Sequence, residues 1–318
     1  MVIGFDVSKA TCTWALVNKA GRSVRQGAGA NTVLVLTELL TELSGKYPSL
    51  TTCVESTGTC HLAVVRVSEQ LSIPCRLINP IQTKQFTKAT VRGTKTDTQD
   101  AVYVALLGLQ GAGHILQPVS ADLTQARVYL RLSHRLQAIH GQLELTRQYL
   151  ASTGLKLDEN ALVACRDTVQ ATVDYYRSLA ATLLRDDSAV ELLRSIPGVG
   201  PVTGMGIAAE IGTIARFKTA EQLIAYAGLD PRIKQSGQRS SVGRLTKRGS
   251  PYLRYWLFMA ARIAEQHDPE LRAAYLQRRN AGKSYTIATV AVTRKLVHRI
   301  FAVLKRGSAY RPSTSVTV

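Results

Sequence analysis

Short apolar runs alternate with longer helical repeats through the first third of the chain. The runs VIGFDVS, CTWALVN, TTCVES and IPCRLINP have strand length, and KAG between CTWALVN and RSVRQGA suits a hairpin turn. TVLVLTELLTEL and LAVVRVSEQL repeat their apolar positions with the period of a helix. This alternation predicts an α/β domain over residues 1–118.

Residues 119–190 have a different pattern, dominated by Leu, Ala, Arg and Gln. TQARVYLRLSHRLQAIHGQLELTRQYL and ALVACRDTVQATVDYYRSLAATLLRDD each keep a helical period over many turns. STGLKLDEN between them is typical of a turn. We therefore predict an antiparallel helical hairpin or coiled coil, an element more often used for self-association or spacing than for catalysis.

Residues 191–318 form a third section, predicted to be mainly α-helical. It opens with SIPGVGPVTG at 195–204, which resembles the turn of a helix-hairpin-helix motif. Glycines in such a turn let backbone amides approach a phosphate without interference from side chains. The alternative is an ordinary Pro/Gly turn between helices.

The balance of charge indicates a polyanionic partner. The 318 residues carry a formal net charge of +18, an excess that favours DNA, RNA or an anionic membrane surface. Between Asp230 and Glu265 there is no acid, and the basic residues there are Arg232, Lys234, Arg239, Arg244, Lys247, Arg248, Arg254 and Arg262. A solvated loop is the alternative, but cations without counter-charges repel one another, so a nucleic acid is favoured. Four more cations share one face of a predicted helix: Lys84, Lys88, Arg92 and Lys95.

Cysteine usage and hydropathy narrow the class of protein. The five cysteines form no CxxC or Cys/His zinc spacing, so reduced thiols in a cytoplasmic protein are expected. The N-terminal MVIGFDVSKA lacks the features of a signal peptide, and no run of about 18 apolar residues is present. We expect a cytoplasmic, nucleoid-associated protein without a membrane partner.

Four carboxylates stand at positions that suit a metal site. Asp6 lies within the first strand, Glu55 ends the fourth, and Asp97 and Asp100 begin a helix at i and i+3. Asp97 and Asp100 alone could be an N-cap and a first-turn acid. Asp6 and Glu55 are in apolar strands, where an unpaired buried carboxylate is costly.

These four acids converge at one sheet edge in an RNase H-like fold, where they would repel one another unless a cation lay among them. Mg²⁺ prefers carboxylate oxygens and keeps positions open for phosphate. One or two such ions could stabilise the attacking and leaving oxygens of a phosphoryl transfer.

Motifs spread over nearly the whole chain resemble those of the DEDD transposases of bacterial insertion sequences, recombinases guided by a bridge RNA and related to the pilin-gene invertases. In the N-terminal part they are GFDVSK at 4–9, VESTG at 54–58 with His61, INP at 78–80 and KTDTQDA at 95–101. In the C-terminal part they are IPGVG at 196–200, AYAGLDPR at 225–232, QSG at 235–237 and LTKRGSPYLR at 245–254.

The resemblance implies a RuvC-like N-terminal domain, a helical hairpin and a C-terminal transposase domain. It gives the metal-binding role to Asp6, Glu55, Asp97 and Asp100, and the role of nucleophile to Ser236, with Ser240 and Ser241 close by. The serine would attack a DNA phosphate and form a covalent phosphoserine link. The implied partners are target and donor DNA, a guide RNA, and further copies of the chain in a dimer that assembles to a tetramer.

Other functions are compatible with parts of the pattern. A RuvC-like structure-specific endonuclease would need only the acids and a metal-activated water. GFDVS also resembles the first phosphate loop of sugar kinases and actin-like ATPases, although no second glycine-rich loop follows. A non-catalytic nucleic-acid-binding scaffold is the remaining alternative.

Overall fold

The structure, a computed structural model, describes residues 1–56, 58–90, 96–116, 119–155, 158–236 and 239–312. The chain divides into two compact units, Met1–Pro118 and Val119–Val318. Within the described ranges no helix is both long and apolar enough to cross a membrane.

The first unit is a mixed sheet with helices on both faces. Its strands are β1 (Val2–Val7), β2 (Thr11–Val17), β3 (Ser23–Ala30), β4 (Thr51–Glu55), β5 (Cys75–Ile78) and β6 (His114–Ile115). Its helices are α1 (Val33–Lys46), α2 (Leu62–Gln70), α3 (Pro80–Thr90) and α4 (Asp97–Leu109). The sequence patterns predicted every strand of this unit except β6, which has only two residues and no apolar pattern of its own.

The sheet has the strand order β3-β2-β1-β4-β5-β6. β1 pairs antiparallel with β2 and parallel with β4, β4 is parallel to β5, and β2 is antiparallel to β3. β1 and β4 occupy the middle and are buried on both faces, which is why their sequences are almost continuously apolar. An antiparallel hairpin followed by parallel strands in the order 3-2-1-4-5 is the RNase H-like topology, and that prediction is confirmed.

Side chains of β1 alternate between two apolar clusters. Ile3 and Phe5 pack in one cluster with α1 residues such as Leu36, whereas Val2 packs in the other with Val104 of α4. The central sheet therefore lies between α1 and α2 on one face and α4 on the other. The side of the sheet that a residue faces follows from its parity along the strand.

The second unit is mostly helical, as predicted. Its helices are α5 (Ala121–Ser152), α6 (Asn160–Leu183), α7 (Ser188–Arg194), α8 (Pro201–Ile211), α9 (Ala220–Ala227), α10 (Pro251–His267), α11 (Pro269–Asn280) and α12 (Tyr285–Arg306). One two-stranded sheet completes it, β7 (Pro231–Ser236) and β8 (Arg239–Leu245).

The predicted antiparallel helical hairpin is formed by α5 and α6. Arg177 donates to Gln137 at 3.0 Å, and Arg166 donates to Glu144 at 3.3 Å. Later residues of α5 thus contact earlier residues of α6, and the two helices are antiparallel. The base of this hairpin and the other helices of the unit share one apolar core, which includes Leu130 of α5, Trp256 of α10 and Leu296 of α12.

One section of this unit differs from the sequence-based interpretation. Residues 231–245 lie in the section predicted to be mainly α-helical, with a solvated loop as the alternative, yet the backbone pairs as an antiparallel ribbon. Polar strands of this kind are not predicted from sequence patterns, because apolar and polar residues do not alternate cleanly along them.

Candidate active site

Two of the four predicted metal ligands end neighbouring parallel strands. Asp6 is the penultimate residue of β1 and Glu55 the last residue of β4, and both are half-buried. Asp6 has the same parity as Val2, and Glu55 the same parity as Cys53, both of which pack in the α4-facing cluster. The two carboxylates therefore belong to the same edge and the same face of the sheet.

α4 crosses that face in the opposite direction to β1. A Cβ on Gly4 would collide with the backbone of Ala101 and Ala105, and a Cβ on Gly108 would collide with Cys53 and approach Val2. Later helix residues thus lie over earlier strand residues, and the first turn of α4 lies towards the carboxyl end of β1. Asp97 and Asp100 occupy that first turn, Asp97 exposed and Asp100 half-buried.

The helix start has a separate cap. The Thr96 side chain accepts a hydrogen bond from the Gln99 amide at 3.3 Å, so Asp97 is the first helical residue and not the N-cap. Satisfying the helix end does not require either aspartate, which weakens the purely structural interpretation of this pair. Both acids still lie where the helix dipole favours negative charge.

The topology brings the four acids to one edge of the sheet, but their side chains do not converge on a common position. Among the described residues, no three His, Cys, Asp or Glu side chains come close enough to hold one metal ion. The donor set nevertheless consists only of carboxylate oxygens, the ligands that Mg²⁺ prefers, so the residues fit this ion chemically.

Loops after β1 and β4 are tied together by Asn31, which sequence reasoning missed. Its side-chain amide donates to the carbonyl of Ser8 at 2.8 Å and to that of Cys60 at 2.9 Å. An Asn directly after a strand, ahead of a helix, is the only sequence signal that could have suggested the tie.

Burial, and then the negative charge of Asp6, raise the pKa of the Cys12 thiol to about 12.

The predicted basic face beside the acids is only partly described. Lys84 is exposed on α3, and Lys88 belongs to the same helix. Arg92 and Lys95 lie outside the described residues, so the four-cation face remains a prediction.

The predicted nucleophile lies on the polar ribbon of the second unit. Ser236 is the last residue of β7 and its Cα partner in β8 is Arg239, while Ser240 and Ser241 pair with Gln235 and Lys234. The remaining predicted cations of the ribbon are Arg232 and Lys234 on β7, and Arg239 and Arg244 on β8. Ser236 belongs to the second unit, whereas the four acids belong to the first.

Backbone hydrogen bonds hold the base of this ribbon. Thr246 donates to the carbonyl of Asp230 at 2.8 Å, Lys247 to Gly228 at 3.2 Å and Ser250 to Tyr226 at 2.8 Å. Gly249 has room for no side chain, because a Cβ there would meet the Tyr226 backbone. The motifs AYAGLDP and TKRGSP are thus the two sides of one clamp.

Two predicted nucleic-acid contacts belong to this clamp. Lys247 has a φ of +53°, a left-handed conformation that costs a non-glycine residue energy and is found preferentially at functional sites. Lys247 and its neighbour Arg248 are both exposed, so their charges remain available to an anionic partner.

A buried acid that sequence reasoning missed anchors the clamp. Glu210 of α8 is 2% exposed, and it accepts hydrogen bonds from Arg131 at 2.6 and 2.9 Å. Its Oε2 atom also accepts from the hydroxyl of Ser250 at 3.0 Å. The lone acid in the apolar run GIAAEIG was the signal that could have revealed it.

The helix-hairpin-helix resemblance corresponds to a real helix–turn–helix arrangement. α7 and α8 flank residues 195–200, where Gly198 has a φ of +92°. The Ser195 hydroxyl accepts a hydrogen bond from the amide of Tyr310 at 2.7 Å and so ties this turn to the end of the chain. The helical prediction is confirmed, and phosphate contact by this turn remains a prediction.

Most of the chain is similar in sequence to known transposases. A profile described as the Transposase IS116/IS110/IS902 family matches residues 190–276, and one described as Transposase, of the DEDD type, matches residues 3–151. A pilin gene-inverting protein of Moraxella bovis is 30% identical over 268 residues, covering 81% of this chain and 80% of that protein. A probable family 20 transposase of Pseudomonas aeruginosa is 26% identical over 300 residues, covering 84% of this chain and 87% of that protein.

Among solved structures, the chain is similar to Thermus thermophilus RuvC in complex with a Holliday junction substrate. The match covers 36% of this chain and 98% of RuvC, at 14% identity and a TM-score of 0.29.

Proposed function

The chain belongs to the IS116/IS110/IS902 family of transposases, and from that premise we propose that it cuts and rejoins DNA through a covalent link to Ser236. The observation that carries the proposal is the course of α4. By crossing the sheet against β1, this helix directs Asp97 and Asp100 towards the edge that holds Asp6 and Glu55.

We assign the metal-binding role to these four acids. Their oxygens would hold one or two Mg²⁺ ions, which supply charge neutralisation at the phosphate and a lowered pKa of a bound hydroxyl. Asn31 would keep the loops that follow the two ligand-bearing strands at a fixed spacing, because its amide donates to both loops. The exposed Lys84 and its neighbours on α3 would bind the flanking DNA backbone.

The proposed reaction balances without any further reactant. The Ser236 Oγ atom bonds to phosphorus while a DNA P–O bond breaks, and the serine proton passes to the departing deoxyribose oxygen. A hydroxyl from a second DNA strand then attacks the phosphoserine, returns the proton to Ser236 and completes the exchange. Lys234, Arg239 and Arg248 are placed along the ribbon and its base, where cations can neutralise phosphate charge.

The proposed partners are target and donor DNA, a guide RNA and further copies of the chain. A net charge of +18 supports binding to several nucleic-acid segments at once. The paired helices α5 and α6 carry exposed apolar residues such as Leu145 at 59% and Tyr149 at 69%, which supports contact with another chain. Joining two duplexes suits a dimer that assembles to a tetramer.

A covalent-adduct assay tests the proposed reaction. Protein expressed with the RNA encoded beside its gene is mixed with labelled target and donor DNA in Mg²⁺ and then denatured. We expect a protein–DNA adduct in the wild type and none in Ser236→Ala or Asp97→Ala. Ser240→Ala, a substitution on the other strand of the ribbon, is the matched control and keeps the adduct.

The same assay separates the endonuclease alternative. DNA cleavage without an adduct, retained in Ser236→Ala, would mean that water is the nucleophile and that Ser236 is only a ribbon residue. An adduct that survives in Ser236→Ala but is lost in Ser240→Ala or Ser241→Ala would move the nucleophile along the ribbon.

Metal binding can be measured without the reaction. Calorimetric titration of the DNA-free protein with Mg²⁺ should give a binding isotherm that Asp6→Asn or Glu55→Gln weakens at least about tenfold, because each removes a ligand charge. Glu221→Gln changes an exposed acid in the second unit and should leave the isotherm unchanged. Equal isotherms in all variants would remove these acids from the metal site.

A further inference from the structure

Three helices of the second unit enclose a groove of about 510 Å³ that the proposed reaction does not use. α10 contributes Arg262 and Glu265, α11 contributes Arg272 and Tyr275, and α12 contributes Tyr285. Arg262 and Glu265 are three residues apart on their helix, as are Arg272 and Tyr275, so each pair lies on one helical face.

A nearly buried carboxylate lies in the wall of this groove. Glu265 is 7% exposed, and its Oε2 atom accepts a hydrogen bond from the Thr289 hydroxyl at 3.0 Å. Burial raises the pKa of Glu265 above its ordinary value. Across the described ranges, Thr289 is the side chain that bonds this carboxylate, and it occupies Oε2 rather than Oε1.

Two aromatic rings stand beside the carboxylate. The ring centroids of Tyr275 and Tyr285 are 6.2 Å apart, and their planes meet at 73°. Tyr285 is 39% exposed, and the adjoining Leu276 is 46% exposed. The groove therefore offers a partly exposed aromatic ring and, in the same lining, a hydrogen-bond acceptor.

The surroundings of the groove favour an anionic ligand. Residues 251–318 contain three acids against twelve Lys and Arg residues. Of the three acids, Asp268 binds Arg299 at 2.5 Å, and Glu270 also pairs with Arg299, so only Glu265 faces the groove. Arg262 and Arg272 are exposed beside it and can contact phosphates.

We propose that this groove binds an unpaired cytosine of a nucleic-acid strand. The base would stack on Tyr275 or Tyr285, its exocyclic N4 amino group would donate to Glu265, and Arg262 and Arg272 would contact the flanking phosphates. Carboxylates accept from cytosine N4, whereas the O4 carbonyl of thymine or uracil would be repelled at the same point. Stacking alone tolerates every base, so the selectivity against thymine and uracil comes from Glu265.

Binding of short single strands to the full-length protein tests this proposal. Fluorescein-labelled dC12, dT12, rC12 and rU12 are titrated in EDTA, so that strand cleavage plays no part. We expect cytosine strands to bind about tenfold more tightly than thymine or uracil strands. The relative affinities of dC12 and rC12 then show whether DNA or RNA supplies the base.

Substitutions assign the effect to the groove. Glu265→Gln should bring the cytosine preference close to one, because an amide can bond either N4 or O4, while the exposed control Glu221→Gln keeps the preference. Tyr275→Leu should weaken binding of every strand about tenfold, and Tyr275→Phe should not. Tyr285→Leu provides a second ring deletion at a more exposed position, and thermal unfolding of each variant verifies folding.

Two results would overturn the proposal. One is equal binding of dC12 and dT12, and of rC12 and rU12, by the wild type. The other is a cytosine preference that survives in a folded Glu265→Gln protein. Either result leaves the Ser236 chemistry untouched, because that chemistry is read from the covalent adduct and not from strand affinity.

Discussion

Single glycines decide how closely α4 approaches the sheet. Gly4 contacts the backbone of Ala101 and Ala105, and Gly108 contacts Cys53, so there is no room at either point for even a methyl group. The acids at the start of α4 depend on this close approach, although neither glycine carries any chemistry.

Gly4→Ala should therefore destabilise the protein by about 1–3 kcal/mol and reduce adduct formation, because overpacking forces α4 away from β1. Gly45→Ala is the matched control, since Gly45 is exposed in α1 and a Cβ there meets nothing within 4 Å. The control should gain about 0.5–1 kcal/mol from helix propensity. Chemical denaturation measures both, and a Gly4→Ala protein as stable as the wild type would contradict the close contact.

At the scale of single residues, the sequence pattern predicted which acids belong to the candidate site but not how close their side chains come to one another. Asp6 and Glu55 were recognisable because acids are rare inside apolar strands. The tie made by Asn31 and the anchor made by Glu210 were not, because each depends on partners far away in sequence, at Cys60 and Arg131.

Among the elements, the polar ribbon β7–β8 depends most on its supports. Its base is held by backbone hydrogen bonds to residues 226–230, and Ser250 in turn bonds Glu210. Cutting this support should disturb the ribbon before it disturbs the surrounding helices.

Glu210→Ala should lower the free energy of unfolding by about 1–3 kcal/mol, since it leaves the Ser250 hydroxyl and the Arg131 guanidinium without their buried acceptor. Glu221→Ala removes an acid exposed on α9 and should leave the free energy of unfolding nearly unchanged. Urea titration compares the two. Limited proteolysis should cut the ribbon faster in Glu210→Ala, and unchanged cleavage would show that the anchor serves the helices alone.

Element prediction succeeded where one face of an element is apolar. The period of 3.6 in α5 and α6 and the short apolar runs of β1, β2 and β4 were sufficient to predict them. β6 and the β7–β8 ribbon were missed because backbone pairing, and not an apolar stripe, holds them. The groove of α10, α11 and α12 could not be predicted, because it exists only where three helices meet.

For the whole molecule, the excess of positive charge sets how strongly binding depends on salt. A charge of +18 spread over both units implies that many phosphates are neutralised, each of which releases counterions when DNA binds. The slope of log Kobs against log salt reports the number of neutralised phosphates independently of catalysis.

Lys88→Ala combined with Arg92→Ala should reduce that slope by about 1.8, because each neutralised phosphate contributes about 0.9 to it. Lys19→Ala combined with Lys46→Ala removes the same charge beyond the amino end of β1, and should change the slope little. Fluorescence anisotropy at several salt concentrations measures both. Equal slopes in the two double variants would show that Lys88 and Arg92 are only solvated.

The clamp at the base of the ribbon also determines what happens when residues are added to β7 and β8. Because residues 228–230 grip residues 246 and 247, any residues added to the two strands extend the ribbon outward from a fixed root. Adding two residues to each strand would carry position 236 about 7 Å further out and restore the same phase of the pleat. Adding one would invert that phase. The distance of Ser236 from the base of the ribbon can thus be increased without changing the face of its side chain only when an even number of residues is added to each strand.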